Sequence, residues 1–307
     1  MNLLLVLEQT LNGLQLGVML FLVSAGLSLV FGIMNLINLA HGSLYMVGAY
    51  FAAVFLEWTG SFLLAAALAL PATLIVGLLI EVVVLRRLYG RDHLDQVLAT
   101  FGLILFFNEA ARLLAGAAPL FINLPKSLSG QVPLIGGAPY PVYRLVVIGV
   151  GLLVALFLSM LVMRTRTGMR IRAGASNPAM ASALGINIRR LFTLVFGLGA
   201  VLAGLGGVMV APIVSVQSGM GENILILAFV VIVIGGIGSI RGAFLAALLI
   251  GLIDTMGRAF LPDLLRLVLV QDAAQTAGAT LASMLIYLFM AGVLFLRPQG
   301  LFPARTR

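Results

Sequence analysis

The stretch Gly26-Leu-Ser-Leu-Val-Phe-Gly-Ile-Met-Asn35-Leu-Ile-Asn38-Leu-Ala-His41-Gly42-Ser43 decides how the chain reads. An apolar run gives way to asparagine, histidine, glycine and serine, and a second apolar run follows. Between Glu8 and Glu57 no residue carries a fixed charge; only His41 can take up a proton. That uncharged length suits two membrane spans of ~20 residues, placed at 10–34 and 43–57 with 35–42 as the break. Irregular backbone at membrane depth survives only where protein or water covers it, so the break marks a functional or tightly packed point. Asn35, Asn38 and His41 recur every three residues and would share one face of a continuing helix, with Gly42 and Ser43 permitting a bend.

Working outward, the next uncharged run extends from Glu57 to Glu81, and its helix continues to Leu85. Further helices are expected over 96–114, 145–163, 191–210, 223–240, 242–260 and 277–296. The fold class is therefore an all-α membrane protein, a single polytopic bundle over residues 1–307 with about nine transmembrane helices, eight to ten being compatible with the run lengths. The composition agrees: 62% of the chain is hydrophobic and 9% charged, against about 25% charged in soluble domains. Lipid must solvate most of such a surface. The start of the chain lacks a basic n-region and a small-residue cleavage site, so no removable signal peptide is expected.

Several chemistries are excluded by the inventory. There is no cysteine, and the only histidines are His41 and His93, so neither a disulfide nor a metal cluster is expected. No Ser/His/Asp arrangement or paired-acid cleft supports catalysis. Lys126 is the only lysine, and it lies in Leu-Pro-Lys-Ser rather than in a glycine-rich phosphate loop, so the chain is not a Walker-type ATPase. The pI of 10.8 comes from arginines that flank apolar spans; these read as topology signals rather than as a nucleic-acid footprint.

Those arginines are asymmetric. Arg86, Arg87, Arg91, Arg164, Arg166, Arg170, Arg172, Arg189, Arg190, Arg241, Arg297, Arg305 and Arg307 all fall on one side if nine spans alternate. Lys126, Arg258 and Arg266 fall on the other, with Arg112 and Arg144 near its edge. The positive-inside rule makes the rich side cytoplasmic, with the N-terminus outside and the C-terminus inside. The longest outer segment, 115–144, holds Pro119, Pro125, Pro133, Pro139 and Pro141 with Gly116, Gly130, Gly136 and Gly137, and should be ordered by turns. It is either a simple connector or a surface for an outer partner.

The inner loop 164–190 carries a short helix with both ends signalled. Asn177 is an N-cap, Pro178 suits the first helical position, and Gly185 can take the left-handed conformation that closes a helix. Met180, Ala181 and Leu184 would share one apolar face of the helix 178–184. A helix of two turns is unstable alone, so it must pack on this protein's own helix ends or insert into a groove of a cytoplasmic partner.

Gly235, Gly236, Gly238 and Ser239 form a second break comparable to the first. Residues 26–49 and 226–249 both read as apolar run, polar or glycine break, then Gly-Ala and another apolar run, which suggests an internal inverted repeat. Such paired breaks mark the transport site in many carriers, so both breaks are candidate pathway or gate positions. The glycine-rich run Gly197–Gly207 reads as close helix packing. Among the intramembrane charges, which are expensive to bury, Glu109 should pair with Arg112, Asp254 with Arg258, and Glu81 with the Arg86–Arg87 cluster.

The pattern Arg172-Ala173, Asn177-Pro178, Ala181, Leu184-Gly185-Ile186-Asn187 and Gly197–Gly207 resembles the ABC-importer permeases for branched-chain amino acids. The stretches Gly26–Ser43 and Gly235–Ser239 with Arg241-Gly-Ala243 resemble the smaller of that family's two permeases. The resemblance covers nearly the whole chain. It implies a bacterial inner-membrane subunit that pairs with a second, homologous permease, docks two cytoplasmic ABC ATPases and receives substrate from a periplasmic binding protein. It further implies that Arg172, Asn177, Pro178, Met180, Ala181, Leu184, Gly185, Ile186 and Asn187 form the ATPase-coupling segment, that ATP is used by the partner subunits, and that this chain binds no cofactor. Relatives in the family also serve urea, amides and aromatic acids, so the cargo is left open. The competing class is a self-sufficient secondary carrier or channel, which would not need a short capped cytoplasmic helix.

Overall fold

Where charge is absent the backbone closes on itself as helix, since in lipid no other partner is available to its amides and carbonyls. The computed structural model describes residues 3–133, 137 and 139–302; Gly136, Arg305 and Arg307 lie outside the described residues. The chain forms α1 (Leu3–Met34), α2 (His41–Thr59), α3 (Phe62–Val83), α4 (His93–Ala115), α5 (Val142–Arg164), α6 (Arg166–Ser176), α7 (Pro178–Ala183), α8 (Ile188–Val210), α9 (Met220–Gly235), α10 (Ile240–Leu265) and α11 (Gln271–Leu296). A small antiparallel hairpin, β1 (Gln131–Pro133) with β2 (Pro139–Pro141), lies in the 115–144 segment. Among the described residues, seven helices are long and apolar enough to cross a membrane. The shorter α2 and α9 complete the bundle of about nine segments expected from the runs. The fold is an all-α polytopic membrane protein.

Two helices make the centre. In α1, 83% of the most apolar stretch is buried, and in α8 72%, against 11% for α4 and 17% for α5 and α11. The peripheral helices turn Phe101, Phe106, Phe157, Leu288 and Phe295 outward to lipid. The central pair is close because glycines meet across it: a Cβ on Gly26 would lie 2.8 Å from the Gly199 carbonyl oxygen. Val23 lies beside Gly206, so α1 and α8 run antiparallel.

That antiparallel pair is the axis of a repeat. A long central helix, a break, a shorter helix and two further helices occur as α1–α4 and again as α8–α11, with α5, α6 and α7 between. The second set is inverted. Gly32, near the end of α1, meets Gly238 just after α9. Phe62, just after α2, stacks edge-on against Tyr143, whose hydroxyl donates to the Met209 carbonyl at the end of α8 (2.8 Å). Each short helix therefore runs towards the end where the other half's central helix finishes. Residues 26–49 and 226–249 do share the helix–break–helix form. By element order, however, the counterpart of the 35–40 break is 211–219, between α8 and α9.

Two expectations are corrected. The segment after Met34 is not a continuing helix: residues 35–40 are non-helical, and Asn35 takes a positive φ of 48°. Asn35, Asn38 and His41 therefore share no helical face; Asn35 is exposed, while Asn38 and His41 are fully buried. Gly42 is not a bend but part of the first turn of α2. Three-residue spacing failed because the chain leaves the helix at Asn35 and turns back into the bundle, where Gln96 of α4 holds the Ile37 amide (3.2 Å). In addition, the 164–190 segment holds two helices rather than one. The Thr165 hydroxyl accepts from the Gly168 amide (3.0 Å) and starts α6, a cap signal present in the sequence.

Glycine packing between α2 and α8 can be tested. A Cβ on Gly207 would overlap the Tyr45 carbonyl oxygen, whereas one on Gly102 would meet nothing within 4 Å. Gly207→Leu should destabilise the bundle by at least the ~1–3 kcal/mol typical of overpacking, read as a lower Tm and loss of monodisperse protein in detergent. Gly102→Leu should leave both readouts unchanged.

Candidate functional site

The arginine-rich end is built from the ends of α1, α3, α5, α9 and α11, the starts of α4, α8 and α10, and α6 with α7. Here the short helix is closed as the sequence signals. The Asn177 side chain accepts from the Met180 amide (2.9 Å), Pro178 takes the first position, and Gly185 has φ 88°. The Ile186 amide donates to the Ala181 carbonyl (3.0 Å), completing the C-terminal turn. The helix ends at Ala183, with Leu184 as its cap.

Its face differs from the expectation. Ala181 is buried against this chain, while Met180 is 58% and Leu184 77% exposed. Ala181 anchors the helix, and the two larger apolar side chains project away. Asn187 caps α8, accepting from the Arg190 amide (3.0 Å), and Ile186 is half-buried. The Arg172 guanidinium donates back to the Val162 carbonyl near the end of α5, so it closes a helix terminus rather than reaching outward.

The second feature lies inside the bundle. His41 opens α2, and its Nε2 lies 3.1 Å from the Val23 carbonyl of α1. A Cβ on Gly42 would overlap the Gly221 carbonyl in the first turn of α9. The first turns of the two short helices, His41–Ser43 and Met220–Glu222, thus touch, and their positive dipole ends converge. Glu222 sits at this junction. Asn108 of α4 donates to Glu222 Oε1, and its own Oδ1 accepts from the Gly219 amide (3.2 Å). Asn108 also takes the Ser218 hydroxyl on its carbonyl (3.1 Å).

Several polar atoms here are buried and make no hydrogen bond among the described residues: both amide atoms of Asn38, His41 Nδ1, Ser28 Oγ and Glu222 Oε2. The 35–40 break is tied down from α4, whose Gln96 Oε1 accepts from the Ile37 amide (3.2 Å). Gln96, Asn108 and Glu222 were not picked out from the sequence. Glu222 stands immediately before the 223–240 run and could have been found as an acid at the positive end of a membrane helix. Gln96 reaches Ile37 and Asn108 reaches Glu222 across more than fifty residues, and those contacts leave no local signal, although the Gln96 amide also donates locally to the Leu88 and Arg91 carbonyls (both 3.2 Å).

The second predicted break is elsewhere. Gly235, Gly236, Gly238 and Ser239 lie at the arginine-rich end. Gly236 and Gly238 take φ of 99° and 78°, and the Ser239 hydroxyl caps α10 through the Gly242 amide (3.1 Å). The amides of Leu301 and Phe302 donate to the carbonyls of Ile234 and Gly235 (2.8 and 3.1 Å). Three expected ion pairs form: Glu81 with Arg86 at 2.9 Å, Asp254 with Arg258 at 2.9 Å and Glu109 with Arg112 at 3.4 Å. Only the first has a fully buried acid. Glu81 also accepts from the hydroxyls of Tyr89 and Thr193, the latter at 3.0 Å.

The family described as "branched-chain amino acid transport system / permease component" matches residues 9–296. The high-affinity branched-chain amino acid transport system permease protein LivH of Salmonella typhimurium is 32% identical over 224 residues, covering 68% of this chain and 72% of LivH. The corresponding protein BraD of Pseudomonas aeruginosa is 32% identical over 215 residues, covering 66% and 70%. A solved structure, PsaBC from Streptococcus pneumoniae in complex with Fab, superposes with a TM-score of 0.52 at 14% identity, covering 94% of this chain and 91% of that one; at that identity the likeness concerns the fold. On sequence and architecture together, the chain belongs to the permease-component family of branched-chain amino acid transport systems.

Proposed function

We propose that this protein is the membrane-spanning permease subunit of an ATP-binding-cassette importer and forms the translocation pathway for branched-chain amino acids. The observation that carries the energy-coupling part is the capped helix α7. Its small residue, Ala181, faces the bundle, and its large apolar residues, Met180 and Leu184, face away at the arginine-rich end. Exposed apolar side chains on a held helix suit insertion into a partner's groove. The partner is an ABC ATPase, which hydrolyses the ATP; a second, homologous permease completes the pathway, and a periplasmic binding protein delivers the cargo. The cargo assignment draws on the relatives LivH and BraD, which are branched-chain amino acid permeases.

In this reading the arginine-rich end is cytoplasmic, so the chain begins in the periplasm and ends in the cytoplasm of an inner membrane. The converging first turns of α2 and α9, with Asn38, His41, Gly42, Ser43 and Glu222, form the gate of the pathway. The Gly235–Ser239 turn is a hinge at its cytoplasmic mouth. The unpaired amide of Asn38 supports the gate assignment, since a buried polar group without a partner is costly and is worth keeping where another state or a solute supplies the partner.

Each part has its own measurement. Leu184→Asp should abolish ATP-driven uptake in proteoliposomes holding the full complex, with membrane insertion unchanged; wild-type uptake by this variant would overturn the docking assignment. Accumulation by the purified chain alone, driven by a proton or sodium gradient, would favour a secondary carrier instead. Because the chain has no cysteine, Ser182→Cys and Ser127→Cys give clean topology reporters. The first should react with an impermeant maleimide only after the inner face is opened, the second in intact cells. Asn38→Leu should keep or raise Tm, since no internal hydrogen bond is lost, while lowering uptake at least tenfold; a lower Tm with normal uptake would assign Asn38 to packing.

A further inference from the structure

A groove of about 910 Å³ runs up the outer face of the bundle between α3, α5 and α8, and nothing in the proposed transport reading uses it. Its upper walls are Leu74 and Leu78 of α3, Leu161 of α5, and Leu194, Leu198 and Val201 of α8. Its mouth at the arginine-rich end is lined by Arg86, Arg189 and Arg190, with the hydroxyls of Thr167 and Thr193. A chemical gradient therefore runs along it, cationic and hydroxylic at one end and hydrocarbon at the other.

Its dimensions match one leaflet. From Arg190 to Val201, α8 rises roughly 16 Å at ~1.5 Å per residue, and half of the ~30 Å hydrocarbon core is about 15 Å. The charges at the mouth are unbalanced. Arg86 is paired with Glu81 (2.9 Å), but no carboxylate pairs with Arg189 or Arg190 among the described residues. Both lie in the first turn of α8, the positive end of the helix dipole, where a cation is disfavoured and an anion favoured. Two uncompensated guanidiniums in the first turn of a helix, opening onto an apolar channel one leaflet deep, describe a phosphodiester headgroup with acyl chains. Basic pockets between membrane helices on the cytoplasmic side bind anionic lipid in this manner.

We propose that this groove is a binding site for an anionic phospholipid of the cytoplasmic leaflet, with Arg189 and Arg190 holding the phosphate and the leucines of α3, α5 and α8 holding an acyl chain. The site rests on the orientation proposed above, with the arginine-rich end cytoplasmic, and does not depend on the cargo or on ATP coupling.

Native mass spectrometry of the purified full chain tests it, with phosphatidylglycerol and phosphatidylethanolamine as the lipid probes. The wild type should retain phosphatidylglycerol in preference to phosphatidylethanolamine. The double variant Arg189→Gln/Arg190→Gln should lose that preference at least fivefold. Arg166→Gln/Arg170→Gln, of equal charge but outside the groove, should keep it. Equal losses in both double variants would reduce the effect to net charge and overturn the site, as would unchanged retention in the first. Placement is read separately by Leu194→Cys carrying a photoreactive label in native membranes. Crosslinking to phospholipid is expected; crosslinking to a second permease or to an ATPase would show the groove to be a protein interface and overturn the proposal. Leu194 is 47% exposed, so this variant should fold normally.

Discussion

In a bilayer each backbone amide and carbonyl must find its partner within the protein, and the rest of this structure follows from how the chain meets that demand where its helices stop. The break at 35–40 borrows Gln96 from α4. The start of α9 borrows Asn108 from the same helix. The end of α9 borrows the amides of Leu301 and Phe302. The 211–219 segment ladders with the 115–144 segment through Leu120 and Val216, each donating to the other at 2.9 and 2.8 Å. Helix α4, mostly exposed to lipid on its outer side, therefore has a second role: its inward polar residues close both halves of the repeat.

Closing the backbone also decides what can lie next to what. Two short helices can begin inside the bundle only if their first turns are covered, and here each covers the other through Gly42 and Gly221. The central helix α8 then joins α7 to the junction of α2 and α9. Its start is capped by Asn187 directly after α7, and its far half packs its glycines against α2 beside Tyr45. A displacement of α7 by a docked partner would load the start of α8, whose other end rests on α2 close to His41.

Much of this was legible in the sequence, for identifiable reasons. Charge-free runs gave the helices because lipid punishes exposed charge. The Asn177–Gly185 caps were readable because capping is local: donor and acceptor sit three to five residues apart. The Glu81–Arg86, Asp254–Arg258 and Glu109–Arg112 pairs were readable for the same reason. Failures occurred where the deciding partner is distant. Ala181 turned inward and Leu184 outward because of the surrounding helix ends, which no heptad-like count contains. Asn38 and His41 parted from Asn35 because the break turns back into the bundle and is held there from α4. Gln96, Asn108 and Glu222 carry meaning only once α4, α2 and α9 are assembled.

The strap formed by Leu301 and Phe302 has a consequence for how the protein is made. The carbonyls that end α9 are completed by residues synthesised only after α10 and α11 have emerged. At roughly 5–20 residues per second the end of α9 waits several seconds for its final partners, with its glycine turn open at the membrane face. The second half of the repeat therefore matures as one unit, closed last from behind, whereas the break of the first half is secured as soon as α4 arrives. Insertion order, rather than any difference in helix propensity, makes the two halves unequal in their vulnerability during biogenesis.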